Sequence, residues 1–223
     1  MFKFFSKYKI FGLVLLALSI IIITLFYNAL KPKEVLTIYQ PAMVNSELVD
    51  STLAHVKKYH TIADFSLTNQ NGETITQDNY KDKIYIADFF FTTCPGICPV
   101  MTKNMGLIQQ QILDDEDVLL LSHSVTPTID SVAQLKKYAL EKGVVDRKWN
   151  LVTGPKKHIY ELARKSYFAV KTDGDGGPLD MIHTENFVLV DKERRIRGFY
   201  DGTKKEEVEK LLKDLTILKE SYK

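Results

Sequence analysis

The chain has only two cysteines in 223 residues, Cys94 and Cys98. One bridge at most can form, which excludes a disulfide framework. It also lacks a surplus of either charge: 30 Lys and Arg stand against 28 Asp and Glu, a net charge of +2. That balance carries neither a nucleic-acid footprint nor an acidic tail, so no nucleic-acid partner is expected. Internal repeats and low-complexity blocks are absent. The length suits one well-packed domain and an appendage.

The N-terminus supplies the appendage. Lys3, Lys7 and Lys9 precede an almost unbroken apolar run from Ile10 to Tyr27, relieved only by Ser19 and Thr24. A bilayer takes about 20 apolar residues to cross, and the basic flank predicts a cytoplasmic N-terminus. A cleaved signal peptide is the rival, but residues Leu25 to Lys31 offer no small-residue cleavage site and no cysteine follows for lipid attachment. The expectation is therefore a cytoplasmic tip (1–9), a single transmembrane anchor (10–27), a tether (28–60) and a folded domain (61–220). That domain would lie on the periplasmic or extracytoplasmic side of the inner membrane. In such an oxidising space a thiol pair needs a reductant or a metal to stay reduced.

Both cysteines sit in Phe89-Phe90-Phe91-Thr92-Thr93-Cys94-Pro95-Gly96-Ile97-Cys98-Pro99. Ile84 to Phe91 reads as a buried strand. Val100, Met101, Met105, Ile108, Ile112 and Leu113 recur at helical spacing, with Pro99 suited to the first helical position and Cys98 at or near the N-cap. Two thiols at a strand-to-helix turn meet unpaired amides and a helix dipole, which favour thiolate. Thiolate attacks disulfides and also binds soft metals, so the turn suits either chemistry. The Cys-x-x-x-Cys spacing sets Cβ atoms about 5–6 Å apart on a regular helix, against about 3.8 Å in a disulfide. Pro95 and Gly96 break that regularity. A plain structural bridge is the alternative.

Around this turn the chain alternates. Ile62 to Thr76 gives a β-hairpin across Asn69-Gln70-Asn71-Gly72. Val118 to Ser122 is a second buried strand, and Ile129 to Glu141 a helix ended by Gly143. Trp149 to Thr153 is a third strand, followed by a helix from Gly154-Pro155 to Lys165. Asn186 to Asp191 and Ile196 to Tyr200 pair as a hairpin, and Lys204 to Leu218 closes the chain as an amphipathic helix. Within the tether a short helix is possible over residues 48–59. The pattern is α/β, and the cysteine turn after the first core strand narrows it to a thioredoxin-like fold with an N-terminal β-hairpin extension.

His183, just before the strand of the terminal hairpin, is the third candidate. Strand entry there faces the cysteine turn in a thioredoxin-like sheet. Redox thioredoxins place a cis-proline at this approach; here the nearest proline, Pro178, comes too early. Two thiolates and an imidazole suit copper in either oxidation state, whereas a structural zinc site would want a fourth ligand. His55 and His60 read as surface residues, and His123 and His158 as structural or surface ones. Asp88, an acid inside the aromatic strand, either faces solvent or is buried near the thiols, where it could tune their protonation.

From Ile62 to Leu218 the chain resembles the Sco/SenC family of membrane-anchored copper-binding proteins. The resemblance rests on Phe91 to Pro99, on Ser124-Val125-Thr126-Pro127-Thr128-Ile129-Asp130, on Trp149 to Gly154, and on Ile182-His183-Thr184 before Phe187-Val188-Leu189-Val190-Asp191. It implies one copper held by Cys94, Cys98 and His183. It further implies assistance in assembling the dinuclear copper centre of cytochrome c oxidase, with the copper-bearing subunit as partner. Some members act as thiol reductants, so a thiol–disulfide oxidoreductase using Cys94 and Cys98 is the competing expectation. A peroxidase of the peroxiredoxin kind would need an arginine near the reactive sulfur, and none lies close in sequence. Two departures stand out: Gly96 where the family often has Asp after Cys-Pro, and Thr126 where it commonly has Asp, with Asp130 retaining the second acid. The loop 173–177 lacks the spaced ligands of a calcium site. Its glycines are expected to let His183 swing on and off the metal.

Overall fold

The computed structural model describes residues 8–30, 34–45, 47–49, 52–171, 174, 177 and 180–223. It divides into two units, residues 1–35 and 36–223. The expected positions Lys3, Lys7, Asp173, Asp175, Gly176 and Pro178 lie outside the described residues.

The first unit is one helix, α1 (Lys9–Leu30). Its segment Lys9–Tyr27 is long and apolar enough to cross a membrane. Twenty-two residues rise about 33 Å, against a hydrocarbon core of about 30 Å. The Ser19 and Thr24 hydroxyls donate to the carbonyls of Leu15 and Ile20 within the helix, so neither needs water.

The second unit is built on β1 (Ser66–Asn69), β2 (Thr74–Thr76), β3 (Ile84–Phe90), β4 (Val118–Ser124), β5 (Trp149–Thr153), β6 (Asn186–Val190) and β7 (Ile196–Asp201). They form one sheet in the order β2-β1-β5-β4-β3-β6-β7. β3, β4 and β5 run parallel, and the hairpins β1–β2 and β6–β7 attach antiparallel at either side. Every residue of β3 is buried, as a central strand covered on both faces requires. Successive side chains point to opposite faces. Phe90 meets Tyr138 on one, ring centroids 5.6 Å apart, and Phe89 meets Tyr167 on the other, also 5.6 Å apart.

The helices are α2 (Cys98–Gln111), α3 (Val132–Lys142), α4 (Lys156–Glu161) and α5 (Lys205–Glu220). α2 starts one residue earlier than the sequence predicts. Ile97 already has near-helical dihedrals (φ −77°, ψ −30°) and takes the N-cap, and its carbonyl accepts from the amides of Val100 and Met101. Cys98 is thus the first helical residue. Pro99 loses nothing at the second, where an amide has no intrahelical partner. α3 starts at Val132, not Ile129, because Ile129 and Asp130 close a turn onto the Thr126 carbonyl and Ser131 caps the helix through the Gln134 amide. Gly143 ends α3 at φ 69°, a left-handed position that suits glycine. α4 is α-helical only to Glu161 and continues as a π-helical turn over Leu162–Ser166.

The segment expected as tether joins the folded unit from Leu36 onward. Tyr39 donates its amide to the Ile196 carbonyl beside the β7 edge. Buried Arg197 reaches the carbonyls of Leu36 (2.6 Å) and Thr37 (3.2 Å). An otherwise open strand edge is thereby covered. Apart from the 3-10 turn Pro41–Met43, no helix forms among the described residues of 36–60; the predicted short helix over 48–59 is replaced by turns.

Candidate metal centre

The parallel pairing of β3 with β4 brings the chain out of the sheet at Phe90 beside Ser124, and the cysteine loop follows at once. Asp130 secures that loop. Its fully buried carboxyl accepts from the hydroxyls of Thr92 (2.5 Å), Ser124 (2.6 Å) and Thr126 (3.0 Å), and from the Thr92 amide at 3.3 and 3.4 Å. Gln134 of α3 donates in turn to the Thr92 hydroxyl at 3.0 Å. Thr126 is thus a donor to Asp130.

Cys94 is half-buried and Cys98 buried; both are free thiols in contact with each other. Their environments differ. Burial works against ionising Cys94, but hydrogen bonds from the Cys98 thiol and from the amides of Cys98, Gly96 and Ile97 outweigh it and bring Cys94 below the ordinary thiol range. Burial first, and then its hydrogen bond to Cys94, together push Cys98 up to about 12. One accessible, acidified sulfur is therefore paired with a covered, protonated one, the asymmetry expected of an attacking and a resolving thiol.

His183 is exposed and stands edge-on to Phe91, three residues before Cys94, with ring centroids 5.5 Å apart and planes at 81°. The fold thus brings imidazole and thiols to the same end of the sheet. Among the described residues, no three Cys, His, Asp or Glu side chains converge closely enough to hold an ion. The ring rests on Phe91, next to the sulfur-bearing loop. The donor types fit a soft or borderline ion such as copper.

The remaining histidines lie elsewhere. His60 is half-buried, against the expectation of a surface residue; its Nε2 bonds the Ser166 carbonyl at 2.8 Å and its ring packs on Phe168. His55 is exposed and His158 half-buried on α4. His123 is fully buried, stacked on Phe89, with Nδ1 donating to the Asp88 carbonyl at 3.2 Å. Of the two readings of Asp88, burial is the one realised: the residue is 2% exposed. Burial pushes its carboxyl up to about 7, against a hydrogen bond with Ser122 that works the other way. It is among the groups that hold Cys98 protonated. Phe91 as a platform for His183, and the hydroxyl cluster on Asp130, have no signature in the local sequence pattern.

A thioredoxin-like sheet with a thiol pair at the turn after its first core strand, and a histidine at the same end, defines the class. The SCO1/SenC family model matches residues 54–218. This chain belongs to the SCO1/SenC family. The SCO1 protein homolog of Bacillus subtilis is 30% identical over 158 residues, which cover 70% of this chain and 81% of that one. Among solved structures, BsSco, described with a disulfide switch and as a member of the Sco family of cytochrome c oxidase assembly proteins, matches with a TM-score of 0.61 at 30% identity. That match covers 71% of this chain and 93% of BsSco. ScoI of Bradyrhizobium japonicum, solved with copper bound, matches with a TM-score of 0.56 at 25% identity over 72% of this chain and 99% of its own.

Proposed function

We propose that this chain is a copper metallochaperone that holds one copper ion through Cys94, Cys98 and His183 and delivers it during assembly of the dinuclear copper centre of cytochrome c oxidase. The recipient is the copper-bearing oxidase subunit. Helix α1 serves as the membrane anchor, with residues 61–220 as the working domain on the extracytoplasmic side. The observation that carries this reading is the meeting of the thiol loop and His183 at Phe91. The copper-bound relative adds support. Thiolate sulfur favours Cu(I), and the imidazole adds a ligand suited to Cu(II). Copper is the cargo, and the differing exposure of the two sulfurs gives it an outer ligand, Cys94, through which a recipient thiol can approach.

The asymmetry of the thiols favours a second reading, disulfide reduction. Cys94 thiolate attacks a substrate disulfide, forming a mixed disulfide and releasing one substrate thiolate. Cys98 then displaces the second, passes its proton to the departing sulfur, and leaves the Cys94–Cys98 bridge. The substrate gains two electrons and the pair loses two.

Replacement of His183 by alanine separates the readings. Loss of a direct ligand should weaken Cu(II) binding by more than about 100-fold, the upper end for residues that only support a ligand. The rate of reduction of a model disulfide should change little. Unchanged Cu(II) affinity with a collapsed reductase rate would reverse the order of the two readings.

A further inference from the structure

Two residues on the approach to His183, Lys171 and Asp180, are fastened to one side chain. Arg164 projects from the π-helical turn after α4, and its side chain and that of Asp180 are only 9% and 8% exposed. Arg164 Nη1 and Nη2 donate to Asp180 Oδ2 (2.6 Å) and Oδ1 (2.7 Å), while Nε donates to the Lys171 carbonyl at 3.2 Å. One guanidinium therefore binds residue 171 and residue 180 together. Gly174 passes against this pair with φ +117°; a Cβ there would lie 2.4 Å from Arg164 Nη2 and 2.5 Å from Asp180 Oδ2. The backbone follows that path because residue 174 has no side chain.

Neighbouring groups fix the same point. Lys156 Nζ donates to the carbonyls of Gly177 (2.7 Å) and Asp180 (2.6 Å). The Tyr160 hydroxyl lies 3.1 Å from the carbonyls of both Asp180 and Val125. Val125 donates its own amide to Phe90, at the root of the cysteine loop. Beyond His183, the Thr184 hydroxyl and the Asn186 amide side chain both bond the Ala169 carbonyl, at 2.6 and 2.9 Å. Only Met181, Ile182 and His183 separate the two fixed points, and Ile182 is itself buried.

A buried ion pair often gives no more stability than an apolar pair of the same size. What the arginine fork adds is orientation, because it matches a carboxylate in two bonds at once. We propose that Arg164, through Asp180, is a positioning residue that sets His183 against Phe91 beside the thiols. The link to metal binding rests on the copper reading above.

The test uses the full-length chain in detergent, with Arg164→Met combined with Asp180→Leu, and separately Arg164→Lys. The apolar pair removes the fork without stranding a buried charge; the lysine keeps the charge but not the geometry. Three quantities are read: the urea midpoint, the nuclear Overhauser contact between the His183 and Phe91 rings in copper-free protein, and the Cu(II) dissociation constant. The midpoint should hold in both variants, the ring contact should vanish, and the dissociation constant should rise by about tenfold or more. A ring contact at wild-type intensity in either folded variant would overturn the proposal. If His183→Ala leaves copper binding intact, the copper reading fails, while the ring contact in copper-free protein still decides the positioning claim.

Discussion

Replacing Asp88 with asparagine is expected to raise stability at pH 7.5 by up to about 4 kcal/mol and to change how stability depends on pH. The Asp88 carboxyl moves from 3.8 in the unfolded chain to about 7 in the fold, chiefly through burial. Between those values the native state binds more protons than the unfolded one. Stability from this group is thus complete below about 3.8 and falls until about 7. His123 has the opposite sign. Burial lowers it from 6.5 to about 4, against the hydrogen bond that its ring donates to the Asp88 carbonyl. The unfolded chain then binds the extra proton, so stability rises with pH from about 4 to 6.5, by about 3 kcal/mol.

In the native chain the two slopes oppose each other. Asp88→Asn removes one, and urea unfolding at intervals from pH 4 to 7.5 should show stability climbing more steeply than in the wild type. Exposed carboxylates such as Asp117 and Asp146 contribute equally to both chains and cancel in the difference. Parallel curves would show that Asp88 is not charged at a cost in the fold. The same variant removes a negative charge that holds Cys98 protonated, so Cys98 should ionise more readily.

Asp130→Ala should cost roughly 3–5 kcal/mol, since each buried hydroxyl left without its acceptor costs about 1–3 kcal/mol. Thr92, Ser124 and Thr126 all donate to this carboxyl, and Ser124 is fully buried. The loss should appear as a lower urea midpoint together with faster hydrogen exchange at the Thr92 amide, which also points at Asp130. A cost under about 1 kcal/mol would mean that water or a rotated Gln134 replaces the lost acceptor. Because Thr92 lies two residues from Cys94, a loosened Thr92 also loosens the loop that sets the sulfur.

The sheet's centre was legible because burial on both faces writes itself as a continuous apolar run, as in Ile84 to Phe90. The two hairpins were legible from their turns, and the α3 terminus from Gly143. What could not be read were devices whose partners are distant in sequence. Arg197 clasping Leu36 and Thr37, Gln134 reaching Thr92, and Arg164 binding Asp180 have no period and no motif. The start of α2 was misplaced by one residue because the pre-proline preference of Cys98 is weaker than the turn begun at Ile97. Cys94, Cys98 and His183 could be named as candidate ligands from their context, but the resting place of His183 on Phe91 could not be read. On the positioning proposal that contact depends on Arg164, which lies far in sequence from either motif.

The central claim is met most directly by an anaerobic copper titration of the reduced full-length chain, with absorption recorded throughout for the wild type, Cys94→Ser, Cys98→Ser and His183→Ala. One copper per chain is expected. A sulfur-to-copper band should be lost in both serine variants, and weakened and displaced in the alanine variant. A wild-type stoichiometry and spectrum in His183→Ala would contradict the account, leaving a thiol pair beside a histidine that takes no part.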